Sequence, residues 1–285
     1  MTGVLAGLTA ALAWTTASAI WRTLSSFGSA LKLNSLKNAL ATLFFLPVLI
    51  TLPWQEQQWQ VWHLLFSGVV GIAIGDSFYL AALRRLGTRR TLTVEALGPV
   101  LANIGSVSLM GEALPVQAWI GACLVSVAVL IIANSSQSKT ESEHNRSGLL
   151  FALCAVLSGL TGAFIARQVL IQGSLSPIQT AAVRLLGGWL ALLPFSSFSV
   201  HFCRHQNLSA VVRILMATAI GTNLGIALQQ LVFQKLPVGP GVTLMSTAPV
   251  MALAFARYEG DPLHRSGVIA ALLAVIGVAL TSLWS

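Results

Sequence analysis

Charge is what this sequence lacks. Only 8% of its 285 residues are charged, and eight acids face sixteen bases. An ordinary soluble domain carries about 25% charged residues. So few charges cannot clothe a water-soluble globule of this size. Cysteine is also scarce. Cys123, Cys154 and Cys203 have no metal-ligand spacing, and two of them lie in apolar runs where packing accounts for them. The five histidines are scattered, no H-E-x-x-H helix occurs, and no ATP-binding motif is present. Aspartate occurs twice. Asp76 sits in "AIGDS", where Ala73 replaces the first glycine of the G-x-G-D seen in intramembrane aspartyl proteases, and Asp261 falls in a loop. No reacting constellation is left, so the sequence reads as a non-enzyme with no metal and no cofactor.

What is present is apolar sequence. Hydrophobic residues make up 55% of the chain, in repeated runs of about 20 residues, long enough to cross a bilayer as helices. Punctuation by Pro, Gly and charge predicts ten spans, near 3–22, 34–53, 61–83, 91–110, 115–133, 148–170, 178–199, 209–233, 239–256 and 264–284. The formal charge of +8 does not indicate nucleic acid, because the bases stand at the ends of apolar runs, where headgroups and topology explain them. Ala17-Ser18-Ala19 is like a signal-peptidase site, but no base precedes the run, so the first segment is read as a retained helix. Trp54, Trp59 and Trp62 surround a polar loop and read as headgroup-level anchors.

The polar stretch "NSSQSKTESEHNRSG" divides the chain into a first half, 1–133, a linker, 134–147, and a second half, 148–285. The halves match. Gly3, Arg22 and Gly28 correspond to Gly148, Arg167 and Gly173 at an offset of 145. "KNALATLFFLP" corresponds to "RLLGGWLALLP" at 147, and Gly71, Gly75 and Pro99 to Gly221, Gly225 and Pro249 at 150. Five spans per half is odd, so a duplication of this kind makes an inverted repeat. The bases agree: "RRLGTRR" carries four Arg, whereas its counterpart "QKLPVGPG" keeps one Lys. Loops on one face hold 13 of the 16 bases, which by the positive-inside bias puts that face in the cytoplasm and both termini outside. The predicted fold is an all-α membrane protein, ten transmembrane helices in two inverted five-helix repeats.

The residues Ala82-Leu83, Gly98-Pro99, Gly111-Glu112 and Gly121, repeated loosely as Ala248-Pro249, Glu259-Gly260 and Gly267, resemble the ten-helix EamA-type transporters of the drug/metabolite transporter superfamily. The lead "GDSFYLAALRRLG" is similar to a variant common there. The second half departs from the first, with 18 residues from Pro249 to Gly267 against 22 from Pro99 to Gly121. The resemblance implies cytoplasmic termini, opposite to the charge count. It also implies that spans three, four, eight and nine line a central cavity. Asp76, Tyr79, Glu95 and Asn103 would face it from one half, and Asn223, Gln229 and Gln230 from the other.

A charge at the bilayer centre costs about 2.5–3.5 kcal/mol on insertion scales, so each intramembrane acid needs a reason. Asp76 lies eight residues before Arg84, about 12 Å of helix inside the membrane. It reads either as a substrate or proton site or as one side of a structural bridge. Glu95 lies nearer the interface, where a loop Arg is the expected partner. Arg184 in span seven is the candidate counter-ion or anion binder, and its repeat mate Lys37 suits an interfacial role. The amides of span eight are more often helix–helix glue than ligands. Glu112 and Glu259 are assigned to helix starts, where N–H groups and the dipole favour a carboxylate. Gly71, Gly75, Gly221 and Gly225 give small faces for close packing, and Pro99 and Pro249 interrupt spans four and nine as hinges or cavity-shaping kinks. The functional expectation is a secondary transporter exporting a small polar metabolite such as an amino acid, with protons as a candidate coupling ion. It would be a monomer or homodimer in a bacterial-type inner membrane. The alternatives are a lipophilic-cation exporter and a non-transporting scaffold.

Overall fold

The computed structural model describes residues 1–22, 30–135, 146–173, 175–195, 208–252 and 265–283. Among the described residues the backbone is helical, with no strand. In the first half run α1 (Thr2–Arg22), α2 (Ala30–Phe44), α3 (Leu46–Ile50) and α4 (Gln58–Gly68). A π-helical turn π1 (Val69–Ile74), α5 (Gly75–Glu95), α6 (Gly98–Met110) and α7 (Val116–Ser135) follow. The second half holds α8 (Arg146–Gln172), α9 (Pro177–Leu192), α10 (Leu208–Ala217), a second π-helical turn π2 (Thr218–Leu224), α11 (Gly225–Lys235), α12 (Val238–Met245) and α13 (Arg265–Ser282).

Among the described residues, eight helices are long and apolar enough to span a bilayer. The other two expected spans are broken. Span two divides at Phe45, because Pro47 has no N–H to continue the α2 ladder, and α3 restarts as a five-residue helix. Span nine divides after Met245. The chain turns at 246–247 and resumes at 248–252 with Pro249 in its first turn, where the missing N–H costs nothing. Span four breaks the same way, α5 ending at Glu95 and α6 starting with Gly98-Pro99. The two prolines therefore start helices rather than kink them midway. Residues 253–264, which carry Glu259 and Gly260, and most of the linker lie outside the described residues.

The arginine-rich segment expected as a loop is helical, since α5 runs through 87–90. It is not straight. Asp76 is within electrostatic reach of Glu95, yet nineteen residues of straight helix would separate them by about 28 Å. The chain doubles back between the two acids within helical backbone. Leu86, Val94, Ala152 and Val156 are buried in one cluster as a result.

Packing follows the logic of a lipid solvent. On α1 the buried residues are all small, Gly3, Ala6, Gly7, Ala10, Ala11, Ala13, Thr15 and Ala17, whereas Leu5 and Leu12 face outward. Small residues let helices approach closely, and large apolar ones meet acyl chains. Gly68 lies directly on the backbone of Arg184, and Gly187 on that of Leu65, which locks α4 to α9. α7 and α13 cross antiparallel. Gly121 meets Gly277 and Thr281, while Ala128 and Ile132 share a cluster with Ala270 and Ala274. α6 and α12 also run opposite ways, with Gly98 near Val242 and Asn103 on Gly239. Trp54 is half-exposed and donates its indole N–H to Leu49 O at 2.9 Å, as an interfacial anchor should.

Candidate functional site

The site begins on α2. Asn34, Ser35, Lys37, Asn38 and Thr42 recur at helical spacing on one face, and all but Lys37 are buried. Polar groups buried in a membrane must find partners, and π1 supplies them. A π turn shifts the backbone ladder and leaves carbonyls free to accept. Asn34 Nδ2 donates to Ile72 O at 3.1 Å, to Ala73 O at 3.3 Å and to Ser77 Oγ at 3.0 Å. Asn38 Nδ2 in turn donates to Asn34 O at 2.9 Å and to its Oδ1 at 2.8 Å. This network sets the rotation of α2 against α5, so that Lys37 faces Asp76.

Lys37 and Asp76 form an ion pair and hydrogen bond between spans two and three. The pair is partly open, with 20% and 37% of the two side chains exposed. Asp76 is also within electrostatic reach of Tyr79, Glu95 and Arg184. Four of the candidate residues thus share one neighbourhood. Glu95 makes no hydrogen bond or ion pair among the described residues. The side chains of Arg89 and Arg90 lie outside them. Arg85 lies 4.4 Å over the ring of Phe151, which stacks on Phe78.

The second half contributes Arg184. It is 3% exposed, and its Nη1 donates to Gln229 Oε1 at 3.3 Å. Its Nη2 points at Gly71 in π1, where a side chain would crowd it, and its Nε finds no partner among the described residues. Gln229 Oε1 also accepts from Gln230 Nε2 at 3.2 Å. Asn223, in π2, donates to Ala41 O of α2 at 2.8 Å and so ties the halves together. Asn103 stands apart from these contacts. It donates to Ala118 O at 3.1 Å and packs on Gly239, holding α6 to α7 and α12.

The two π turns occupy matching places, each ending one residue before a glycine of the Gly75/Gly225 pair. At the same offset of 150, Gln229 is the counterpart of Tyr79, and at 147 Arg184 is the counterpart of Lys37. Each half therefore aims one base from its second span at its third. In the first half the base meets an acid; in the second it meets an amide. Gly71 and Gly75 press against α8, with Gly162 and Gly159, while Gly221 and Gly225 press against Ala17 and Trp14 of α1. Lys37, Asn34 and Ser77 are functional candidates that sequence reasoning passed over. Their signal was the polar face of α2 and the repeat partnership with Arg184.

Beside this cluster lies an apolar cavity of about 260 Å³, lined by Ala73, Ser77, Phe78, Leu192 and their neighbours. Leu31 at the start of α2 and Phe195 just after α9 complete its wall.

Known proteins agree with this architecture. A solved crystal structure matches 100% of this chain and 99% of its own length with a TM-score of 0.79 at 18% identity, a likeness of fold. An uncharacterized transporter from Archaeoglobus fulgidus is 31% identical over 160 residues, spanning 55% of this chain and 56% of that protein. The model of the EamA-like transporter family matches residues 1–134 and again 146–283, so the chain, an integral multi-pass membrane protein built from two such repeats, belongs to that family.

Proposed function

We propose that this chain is a secondary transporter exporting a small polar metabolite, such as an amino acid, by alternating access between two inverted five-helix repeats. The observation that carries the reading is the pairing of one intramembrane base from each repeat with a polar group on the facing span. Lys37 meets Asp76, and Arg184 meets Gln229. A charged network held at this depth costs insertion energy and marks a substrate or ion path. The antiparallel crossings of α7 with α13 and of α6 with α12 support the inverted arrangement, because each joins a span to its own counterpart. A substrate bearing both charges would engage Arg184 through its anionic group and the Asp76–Glu95 neighbourhood through its cationic one. Protons are the candidate coupling ion, exchanged at the acids. A lipophilic cation is the weaker substrate reading, since it would have to displace Lys37 from Asp76.

The test is uptake into proteoliposomes across a panel of polar metabolites and lipophilic cations, with and without a pH gradient. Gradient-dependent uptake of a polar metabolite is the expected result. Uptake of lipophilic cations alone would replace the substrate class. No uptake of any compound by well-folded protein would favour a scaffold.

A further inference from the structure

Two arginines of the second half are enclosed by the bundle, and they differ in what they hold. Gly111, left-handed at φ 64, ends α6, and Glu112 after it donates its N–H to Ser106 O at 3.0 Å. Glu112 precedes α7 by four residues and is held by Arg167 of α8, not by a helix start. Its Oε1 accepts from Arg167 Nε at 3.1 Å and from Nη2 at 3.0 Å, while Nη1 of the same guanidinium donates to Phe233 O. Nε and Nη2 form one donor edge of the rigid fork, the kind of edge that takes a carboxylate. At Arg167 that edge is filled.

Arg184 repeats half of this arrangement. Its Nη1 donates to Gln229 Oε1. Its Nε is buried without a partner among the described residues, and its Nη2 makes no hydrogen bond among them either. Asp76, the acid within electrostatic reach, is bonded to Lys37. The side chain is enclosed, and a guanidinium enclosed with its edge empty carries a desolvation cost that a carboxylate would offset.

Space adjoins this edge. On α8 the outward face is Leu150, Leu153, Leu157 and Thr161, all exposed. Gly159 lies two residues from Leu157, about 200° round the helix, and shares its face with the buried Ala152, Ala155 and Ala166. Gly159 therefore looks into the protein. It is nevertheless only half-buried, and a side chain added there would meet nothing within 4 Å among the described residues. Glycine inside a helix is unfavourable, and no neighbour crowds the place of its missing side chain. Span three joins this space to Arg184. A methyl group at Gly71 would lie 3.2 Å from Arg184 Nη2 and 3.8 Å from Ser158 O, and one at Gly75 would lie 3.5 Å from Gly159 N. Asp76 follows Gly75, with 37% of its side chain exposed.

We propose that the Nε–Nη2 edge of Arg184 binds a carboxylate, and that the substrate bearing it occupies the interior space at Gly159. This deepens the transport reading above, on which it rests, by naming the anionic group and the room that takes it. An amide of the same shape is excluded, because it would turn a donor toward the guanidinium.

The experiment titrates full-length protein in detergent with sodium propionate, propionamide and sodium phosphate at constant ionic strength, and follows thermal unfolding. Propionate is expected to raise Tm saturably, and propionamide is not. Arg184→Gln is expected to abolish the effect. Arg184→Lys is expected to weaken the apparent Kd about tenfold, since an ammonium cannot present the planar edge. Gly159→Leu is expected to fold with Tm no lower than that of the unaltered protein, because the room is there and leucine favours helix. It is nonetheless expected to weaken propionate binding about tenfold or more, as loss of a charge-assisted contact does. Equal stabilisation by propionamide, an Arg184-dependent preference for phosphate, or unchanged propionate binding in Gly159→Leu would each overturn the proposal. So would the lack of any propionate effect up to about 100 mM. Where Arg184→Gln does not fold, Arg184→Lys and the contrast of propionate with propionamide decide the matter. Binding is read without uptake, so a failed carboxylate site and a failed transport reading give different results.

Discussion

At the scale of single residues, the cost of a charge in the membrane depends on its partner. Lys37 and Asp76 neutralise each other across two helices. Lys37→Met leaves Asp76 unpaired, and we expect it to lower stability by about 1–3 kcal/mol. Adding Asp76→Asn should recover much of that loss, because two neutral groups are cheaper than one orphaned charge. Thermal unfolding in detergent reads this cycle, and simple additivity would mean the pair contributes nothing. In transport, Asp76→Asn should abolish activity or its pH dependence. Normal rates with a normal pH response would take Asp76 out of the mechanism. Arg184→Lys tests the anion subsite. The ammonium cannot reproduce the planar fork that reaches Gln229 and Gly71 together. A KM raised by about tenfold with folding intact is the expected result, the worth of about one charge-assisted hydrogen bond.

At the scale of elements, the π turns and the glycine crossings determine which side chains meet. π1 offers Ile72 O and Ala73 O to Asn34, and that bond sets α2 at the angle that brings Lys37 to Asp76. Gly68 and Gly187 allow α4 and α9 to touch backbone to backbone, which carries Arg184 up to π1. A methyl group at Gly68 would strike the Arg184 carbonyl. Gly68→Ala should therefore cost about 1–3 kcal/mol through overpacking. It should also impair transport more than an alanine at a lipid-facing position such as Leu109, 71% exposed. Equal effects at the two positions, measured by unfolding and uptake together, would show that the α4–α9 contact is not tight.

At the scale of the whole molecule, an inverted duplication makes a topological prediction. On the proposed arrangement five spans lie between the N-terminus and the linker, and five more between the linker and the C-terminus. Reporters fused within residues 136–145 and after Ser285 should therefore score on opposite faces of the membrane. The same experiment decides between the charge count, which places the termini outside, and the family resemblance, which places them in the cytoplasm. Reporters scoring on one face would refute the odd-numbered repeat.

By itself the sequence determined the solvent, the helices and the duplication. Those properties are additive along the chain: apolar length, charge content and the spacing of Gly, Pro and Arg need no knowledge of neighbours. It marked Asp76, Glu95 and Arg184 for the same reason, since a charge inside an apolar run is costly wherever it packs. Partnerships are not additive. Lys37 read as an interfacial base until α2, turned by Asn34 against π1, brought it to Asp76. Glu112 read as a helix-start carboxylate until α8 placed Arg167 on it. "RRLGTRR" read as a loop because its charges mimic one, yet its backbone bends while staying helical. Only tertiary structure decides such cases, because which base an acid meets depends on helix rotation and crossing. Those are set by glycines and π turns whose packing partners lie far away in sequence.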